Sequence, residues 1–71
     1  MFDYSKLCGR IVERFGTRSA FAEKLGMTPS NLSGRLKGHV KFSSEDISKM
    51  VELLEIPDSE ISTYFFTRKV Q

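Results

Sequence analysis

The sequence contains one cysteine, one histidine and no tryptophan. A single cysteine excludes a disulfide within the chain, and without a CxxC, an HExxH or a His/Cys cluster nothing supports a metal site. One histidine among scattered serines offers no Ser-His-Asp arrangement for nucleophilic catalysis. Because paired carboxylates and a glycine-rich phosphate loop are also missing, the sequence predicts a protein that is not an enzyme and has no cofactor.

Long hydrophobic runs are also missing. No apolar segment approaches the roughly 18 residues that a membrane-crossing helix needs. The first residues, Met1-Phe2-Asp3, are unlike the basic and apolar start of a signal peptide. We therefore expect a cytoplasmic protein with no membrane partner.

The chain has 71 residues, the length of one domain. A domain of this size buries only about 60% of the surface that its unfolded form exposes, so its stability is modest. Domains this small are often stabilised further by a partner, and a homodimer is one possibility.

Charge is distributed unevenly, although the formal net charge is only +2. Residues 1–41 contain eight Lys or Arg and three Asp or Glu, a net charge of +5. Residues 42–71 contain three Lys or Arg and six Asp or Glu, a net charge of −3. A basic front half favours a polyanion or an acidic protein, and an acidic rear half is repelled by DNA. A solvated mixture of surface charges would give the same counts, so charge alone does not identify the partner.

Apolar residues at helical spacing, bounded by capping residues, predict an all-α domain. The predicted helices lie near residues 4–15, 18–25, 29–37, 44–55 and 59–66. The domain would cover residues 1–66, and residues 67–71 would form a tail that is mobile or held by a partner. The run Tyr64-Phe65-Phe66 spans about 200° of helical arc, so one or two of these rings should reach the core and another should lie on the surface.

Residues 17–38 predict two short helices joined by a tight turn, a helix-turn-helix. Ala22 is small enough for the two helices to approach closely, and Gly26 can adopt the left-handed backbone that the turn needs. Thr28 caps the second helix, and Leu32 anchors it in the core. The outer edge of that helix would protrude with a width that fits the DNA major groove.

The segment from Phe21 to Thr28, with Leu32 and the Lys37-Gly38 turn, resembles the helix-turn-helix domains of temperate-phage repressors and Cro proteins. The resemblance to this lambda-repressor-like class extends over residues 4–66, and the short chain is more similar to a Cro-type protein than to a full repressor. It implies a five-helix domain that regulates transcription by binding double-stranded operator DNA sequence-specifically. Such a Cro-like repressor would act in a phage genetic switch, in the cytoplasm of the bacterial host.

The same resemblance implies which residues bind. The recognition helix would bind DNA, or a protein partner, through Thr28, Pro29, Ser30, Asn31, Ser33, Gly34, Arg35 and Lys37. Of these, Ser30, Asn31 and Ser33 would lie nearest the base edges. Contacts with phosphates are implied for Thr17, Arg18, His39 and Lys41, together with Lys37. For each of these residues the alternative is an ordinary solvated polar position.

Three residues depart from the family pattern. Pro29 and Gly34 stand where many relatives have long polar side chains, and neither can form the bidentate base contacts worth about 1–3 kcal/mol each. Arg35 occupies a usually apolar position, followed by Leu36. Either the buried edge of the helix is rotated, or Arg35 lays its stem along the surface.

These departures support a second hypothesis. Some temperate phages of Gram-positive bacteria encode small Cro-like proteins, or antirepressors, that modulate the phage repressor by binding it, and this chain resembles them in size. The flat surface from Ser30 to Gly34, ringed by Arg35, Lys37 and Lys41, would then dock on an acidic or apolar face of the repressor and alter its operator binding. The two hypotheses are compatible.

Overall fold

Helical spacing and capping residues place five α-helices along residues 2–70, the part of the chain that the computed structural model describes. The helices are α1 (Ser5–Phe15), α2 (Arg18–Leu25), α3 (Pro29–Leu36), α4 (Ser44–Leu54) and α5 (Ile61–Phe65), with a 3-10 turn at Asp58–Glu60 before α5. The predicted all-α, five-helix fold is confirmed, with no β-strand among these residues. No helix in this range is long and apolar enough to span a membrane.

N-caps, including the one predicted at Thr28, explain where three helices begin. The hydroxyl oxygens of Thr17 and Thr28 accept from backbone N–H groups three residues later, at 3.1 Å in both cases. Ser43 and Asp46 form a reciprocal capping box, with each side chain accepting from the other residue's backbone N–H. These local bonds satisfy amide donors that the first turn of a helix leaves free.

The observed helix boundaries differ from the predicted ones by small amounts at the helix ends. Helix α3 ends at Leu36, one residue early, with Lys37 as its C-cap and Gly38 beyond it in a left-handed conformation. Helix α4 ends at Leu54, one residue early, because Glu55 adopts a left-handed conformation as its C-cap. The Arg10 guanidinium of α1 donates to the carbonyl oxygen of Leu54 at 3.0 Å. The fifth helix is shorter than predicted, because a 3-10 turn at Asp58–Glu60 follows Pro57 and α5 begins only after that turn, at Ile61.

The core contains one or more side chains from every α-helix. Its buried residues are Leu7, Ile11, Phe21, Ala22, Leu25, Leu32, Met50, Leu54, Ile56, Tyr64 and Phe65. Leu32, predicted to anchor the third helix, is fully buried and holds α3 against this core. In the aromatic run, Tyr64 and Phe65 are buried and Phe66 is half-exposed, as the helical geometry predicts.

The two ends of the described chain are paired with each other. Phe2 and Arg68 form an antiparallel bridge, and the N–H of Asp3 donates to the carbonyl oxygen of Thr67 at 2.7 Å. Residues 67 and 68, the first two of the expected tail, thus contact the chain's own first residues. Gln71, the last residue of that expected tail, lies outside the described residues.

Candidate functional site

Helices α2 and α3 meet across the turn Gly26-Met27-Thr28, and this turn decides which face of α3 is free. Gly26 adopts the left-handed conformation predicted for it, with a φ of 78°. The N–H of Met27 donates to the carbonyl oxygen of Ala22 at 2.9 Å, which closes the turn. Because Leu32 points into the core, the opposite side of α3 is left on the surface.

The free face of α3 is smaller than the sequence predicted. Pro29, Ser30 and Asn31 are exposed, but Ser33 and Gly34, which were expected to face outward, are partly buried. At Gly34 an added Cβ would meet no heavy atom within 4 Å, so the surface above this residue is open. The face is therefore shallow, and its exposed side chains near the middle of the helix are short.

Arg35 does not belong to this free face. Its Nε atom lies 3.5 Å from Oδ2 of Asp46, and both side chains are mostly covered, with 23% and 22% of their surfaces exposed. Its Nη1 atom also donates to the carbonyl oxygen of Asn31 at 3.3 Å. Arg35 thus lies along the protein surface toward α4, one of the two arrangements that its position in the sequence allowed.

Because Arg35 is paired with Asp46, its guanidinium does not belong to the surface that α3 offers to a binding partner. Arg35 is the only Arg or Lys within α3, and a guanidinium is the group best suited to bidentate contact with guanine. Held by Asp46, it leaves Ser30 and Asn31 as the exposed hydrogen-bonding side chains of the helix. Such a face can pack closely against a flat partner and form a few hydrogen bonds, but it has little reach.

The predicted phosphate-binding residues do not form one group. The Thr17 hydroxyl accepts a hydrogen bond within the cap of α2. Arg18 and Lys37 line the same cleft, of about 570 Å³, whereas Lys41 lines a separate groove of about 310 Å³. His39 is exposed in the loop after α3 and lines neither cavity.

Residues from both ends of the chain, which the sequence analysis did not select, also line these two cavities. Phe2 and Tyr4 border both of them, and Lys69 borders the larger one. Burial raises the pKa of the Tyr4 hydroxyl above its ordinary value of 10.0. Hydrogen bonding by the side chain and backbone of Ser5, aided by Lys69, holds the pKa of Asp3 below its ordinary 3.8. For Phe2 and Tyr4 the sequence signal was aromatic character close to the N-terminus, whereas no pattern in the sequence indicated Lys69.

Comparison with known proteins relates this chain to a protein family and to a solved structure. The family model described as "Protein of unknown function (DUF739)" matches residues 1–68. No functionally curated protein matches the sequence. Among solved structures, the chain is similar to the modulator of repression (MOR) of the temperate bacteriophage TP901-1 from Lactococcus lactis, with 37% identity and a TM-score of 0.81. The alignment covers 99% of this chain and 95% of that chain.

Proposed function

Because the chain belongs to the DUF739 family, and its fold resembles a phage modulator of repression throughout, we propose that it binds a phage repressor and alters that repressor's operator binding. The observation that carries the proposal is the similarity to MOR, which combines sequence identity with the same fold over nearly the full length of both chains. The protein would act by binding alone, without catalysis.

The chemistry of α3 supports a protein partner. Arg35 is paired with Asp46, and the exposed middle of the helix has only short side chains at Ser30 and Asn31. Short side chains and the open surface at Gly34 allow a partner to approach this face closely. Close packing is what a protein interface needs, whereas base recognition needs side chains that reach into a groove.

Sequence-specific DNA binding of the Cro type is a second candidate, favoured by one observation. Arg18 lies in the first turn of α2, whose N-terminus attracts anions, and Lys37 lies in the same cleft. A DNA phosphate could bind between them. Without long base-reading side chains, we expect such binding to stay near the nonspecific range of about 10⁻⁴–10⁻⁶ M.

Calorimetry separates the two candidates. The purified chain is titrated with the DNA-binding domain of the repressor encoded by the same phage, and separately with that phage's operator DNA. We expect a complex with the repressor domain at micromolar concentration or below, and weak binding to DNA at every sequence. The absence of any complex with the repressor domain at micromolar concentration would refute the modulator, and tight, sequence-dependent DNA binding would establish the Cro-like function.

A further inference from the structure

The cleft beside Arg18 and Lys37 is strongly basic. It is lined by three cations, Arg18, Lys37 and Lys69, and by one carboxylate, Asp3. One oxygen of the Asp3 carboxylate, Oδ1, accepts from the N–H of Ser5 at 2.8 Å. Three cations against one carboxylate leave the cleft positive, which is the charge that attracts an anionic group.

An apolar groove continues from this basic cleft. Phe2 and Tyr4 line both cavities, so they form the boundary between them. The groove is walled mainly by aromatic and aliphatic side chains, and three of these are unusually exposed: Phe2 at 38%, Val40 at 51% and Phe66 at 49%. Exposed apolar side chains grouped around one groove are typical of an interaction site.

The paired ends of the chain build this joint surface. The Phe2–Arg68 bridge and the hydrogen bond from Asp3 to Thr67 bring Phe2 beside Phe66, with ring centroids 5.6 Å apart and an edge-on geometry. The same pairing places Lys69 at the basic cleft. Phe66 and Lys69 lie outside the α3 face, and together with the first residues of the chain they form a second surface.

We propose that the basic cleft and the apolar groove, together the terminal docking surface, bind one acidic amphipathic segment of the partner repressor. Carboxylates of that segment would pair with Arg18, Lys37 and Lys69, while its apolar side chains fill the groove beside Val40 and Phe66. The proposal rests on the proposed function, and it adds a second area of contact at the C-terminal end of α3. An interface of this kind combines electrostatic attraction with apolar burial.

Other occupants fit the surface less well. A symmetric contact between two copies, centred on the cleft, would bring the same cations together. A contact between the cleft of one copy and the acidic second half of another would be head-to-tail, so it would build a ring or an open filament and not the symmetric dimer that is commonest among oligomers. A DNA phosphate satisfies the cations but makes no use of the exposed apolar side chains in the groove.

Two matched pairs of variants test the surface by calorimetry with the full chain and the purified repressor. In the first pair, Arg18→Glu reverses a cleft charge, and Lys24→Glu reverses an exposed charge on the same helix that lines neither cavity. In the second, Val40→Ala truncates the groove, and Val12→Ala truncates an equally exposed valine, also 51%, that lines neither cavity. Circular dichroism with thermal melting confirms that all four variants fold.

We expect Arg18→Glu to weaken repressor binding at least about tenfold and to flatten its salt dependence. Val40→Ala should weaken it about fivefold, as expected for the lost apolar contacts. Lys24→Glu and Val12→Ala should leave the affinity within about twofold of the wild-type value.

The possible failures differ from one another. If the repressor binds the wild-type chain and all four variants equally, the terminal docking surface is refuted and the proposed function stands. If the repressor does not bind the wild-type chain, the proposed function and the terminal docking surface are both refuted. If Arg18→Glu loses affinity for DNA but keeps its affinity for the repressor, the surface binds DNA and the proposal is overturned. If sedimentation shows that the wild-type chain self-associates and that Val40→Ala abolishes this self-association, the surface binds a second copy and the proposal is likewise overturned.

Discussion

The guanidinium of Arg35 and the carboxylate of Asp46 join α3 to the first turn of α4, with Nε and Oδ2 3.5 Å apart. Asp46 has two tasks, since the same Oδ2 atom accepts from the N–H of Ser43 in the capping box of α4 at 3.1 Å. The Arg35 Nε atom is buried and has no hydrogen-bond partner among the described residues, so Asp46 supplies its nearest countercharge. One carboxylate thus caps α4 and fixes the orientation of Arg35 on α3.

Substitution of Asp46 should therefore destabilise the protein more than the loss of an ordinary surface ion pair. We expect Asp46→Ala to lower the free energy of unfolding by about 1–2 kcal/mol, since it removes both a cap and a partly screened ion pair. Asp46→Asn is the matched control, because its amide oxygen can still accept from Ser43, and it should cost less. Urea denaturation measures both variants; equal effects of the two would show that the cap contributes little.

Leu32→Ala should remove the anchor of α3. The side chain is fully buried, so the truncation should cost roughly 2–4 kcal/mol, a large part of the stability of so small a domain. Asn31→Ala, at the exposed neighbouring position, should change the free energy of unfolding by less than about 0.5 kcal/mol. Chemical denaturation followed by circular dichroism compares them, and a cost for Leu32→Ala as small as that for Asn31→Ala would contradict the described packing.

Gly34→Gln should separate folding from binding. Because an added Cβ meets no atom within 4 Å, we expect the variant to fold with a melting temperature close to that of the wild type. The longer side chain would project from α3 into a docked repressor and weaken that complex at least about tenfold in calorimetry. Gly9→Gln is a suitable control, since its Cβ position on α1 is also open and Gly9 lines neither cavity. Unchanged affinity in Gly34→Gln would exclude this part of α3 from the interface.

The stability of the fold should depend on the ionisation of Asp3 at acidic pH. Hydrogen bonding by Ser5 holds the pKa of Asp3 below 3.8 in the folded protein. A carboxyl group with a lowered pKa stabilises the fold above its ordinary value, and this contribution is lost as the pH falls through the lower folded value. We expect NMR titration of the Asp3 carboxyl carbon to give a midpoint below 3.8, and Asp3→Asn to make thermal stability less dependent on pH between about 5 and 2. A midpoint at or above 3.8 would show that the hydrogen bond to Ser5 is weak in solution.

Much of the local structure could be predicted from neighbouring residues. Thr17, Thr28 and Ser43 begin helices because each hydroxyl bonds an amide only three residues away. The position of Gly26 in the turn and the burial of Leu32 follow from backbone freedom and helical spacing in the same way. These interactions depend on short stretches of chain, so a pattern in the sequence is sufficient to identify them.

The binding surface could be predicted only in part, because it depends on contacts between distant residues. The spacing of Ser43 and Asp46 is that of a capping box, but the pairing of Asp46 with Arg35 depends on the tertiary structure, which brings the start of α4 near Arg35. The pairing of Asp3 with Thr67 joins the two ends of the chain, and it creates a docking surface from residues that had no common pattern in the sequence. The sequence by itself determined the helices and their caps through local bonds and apolar periodicity; only the tertiary structure decided which charges stay free, because that depends on where the packed helices bring opposite charges together.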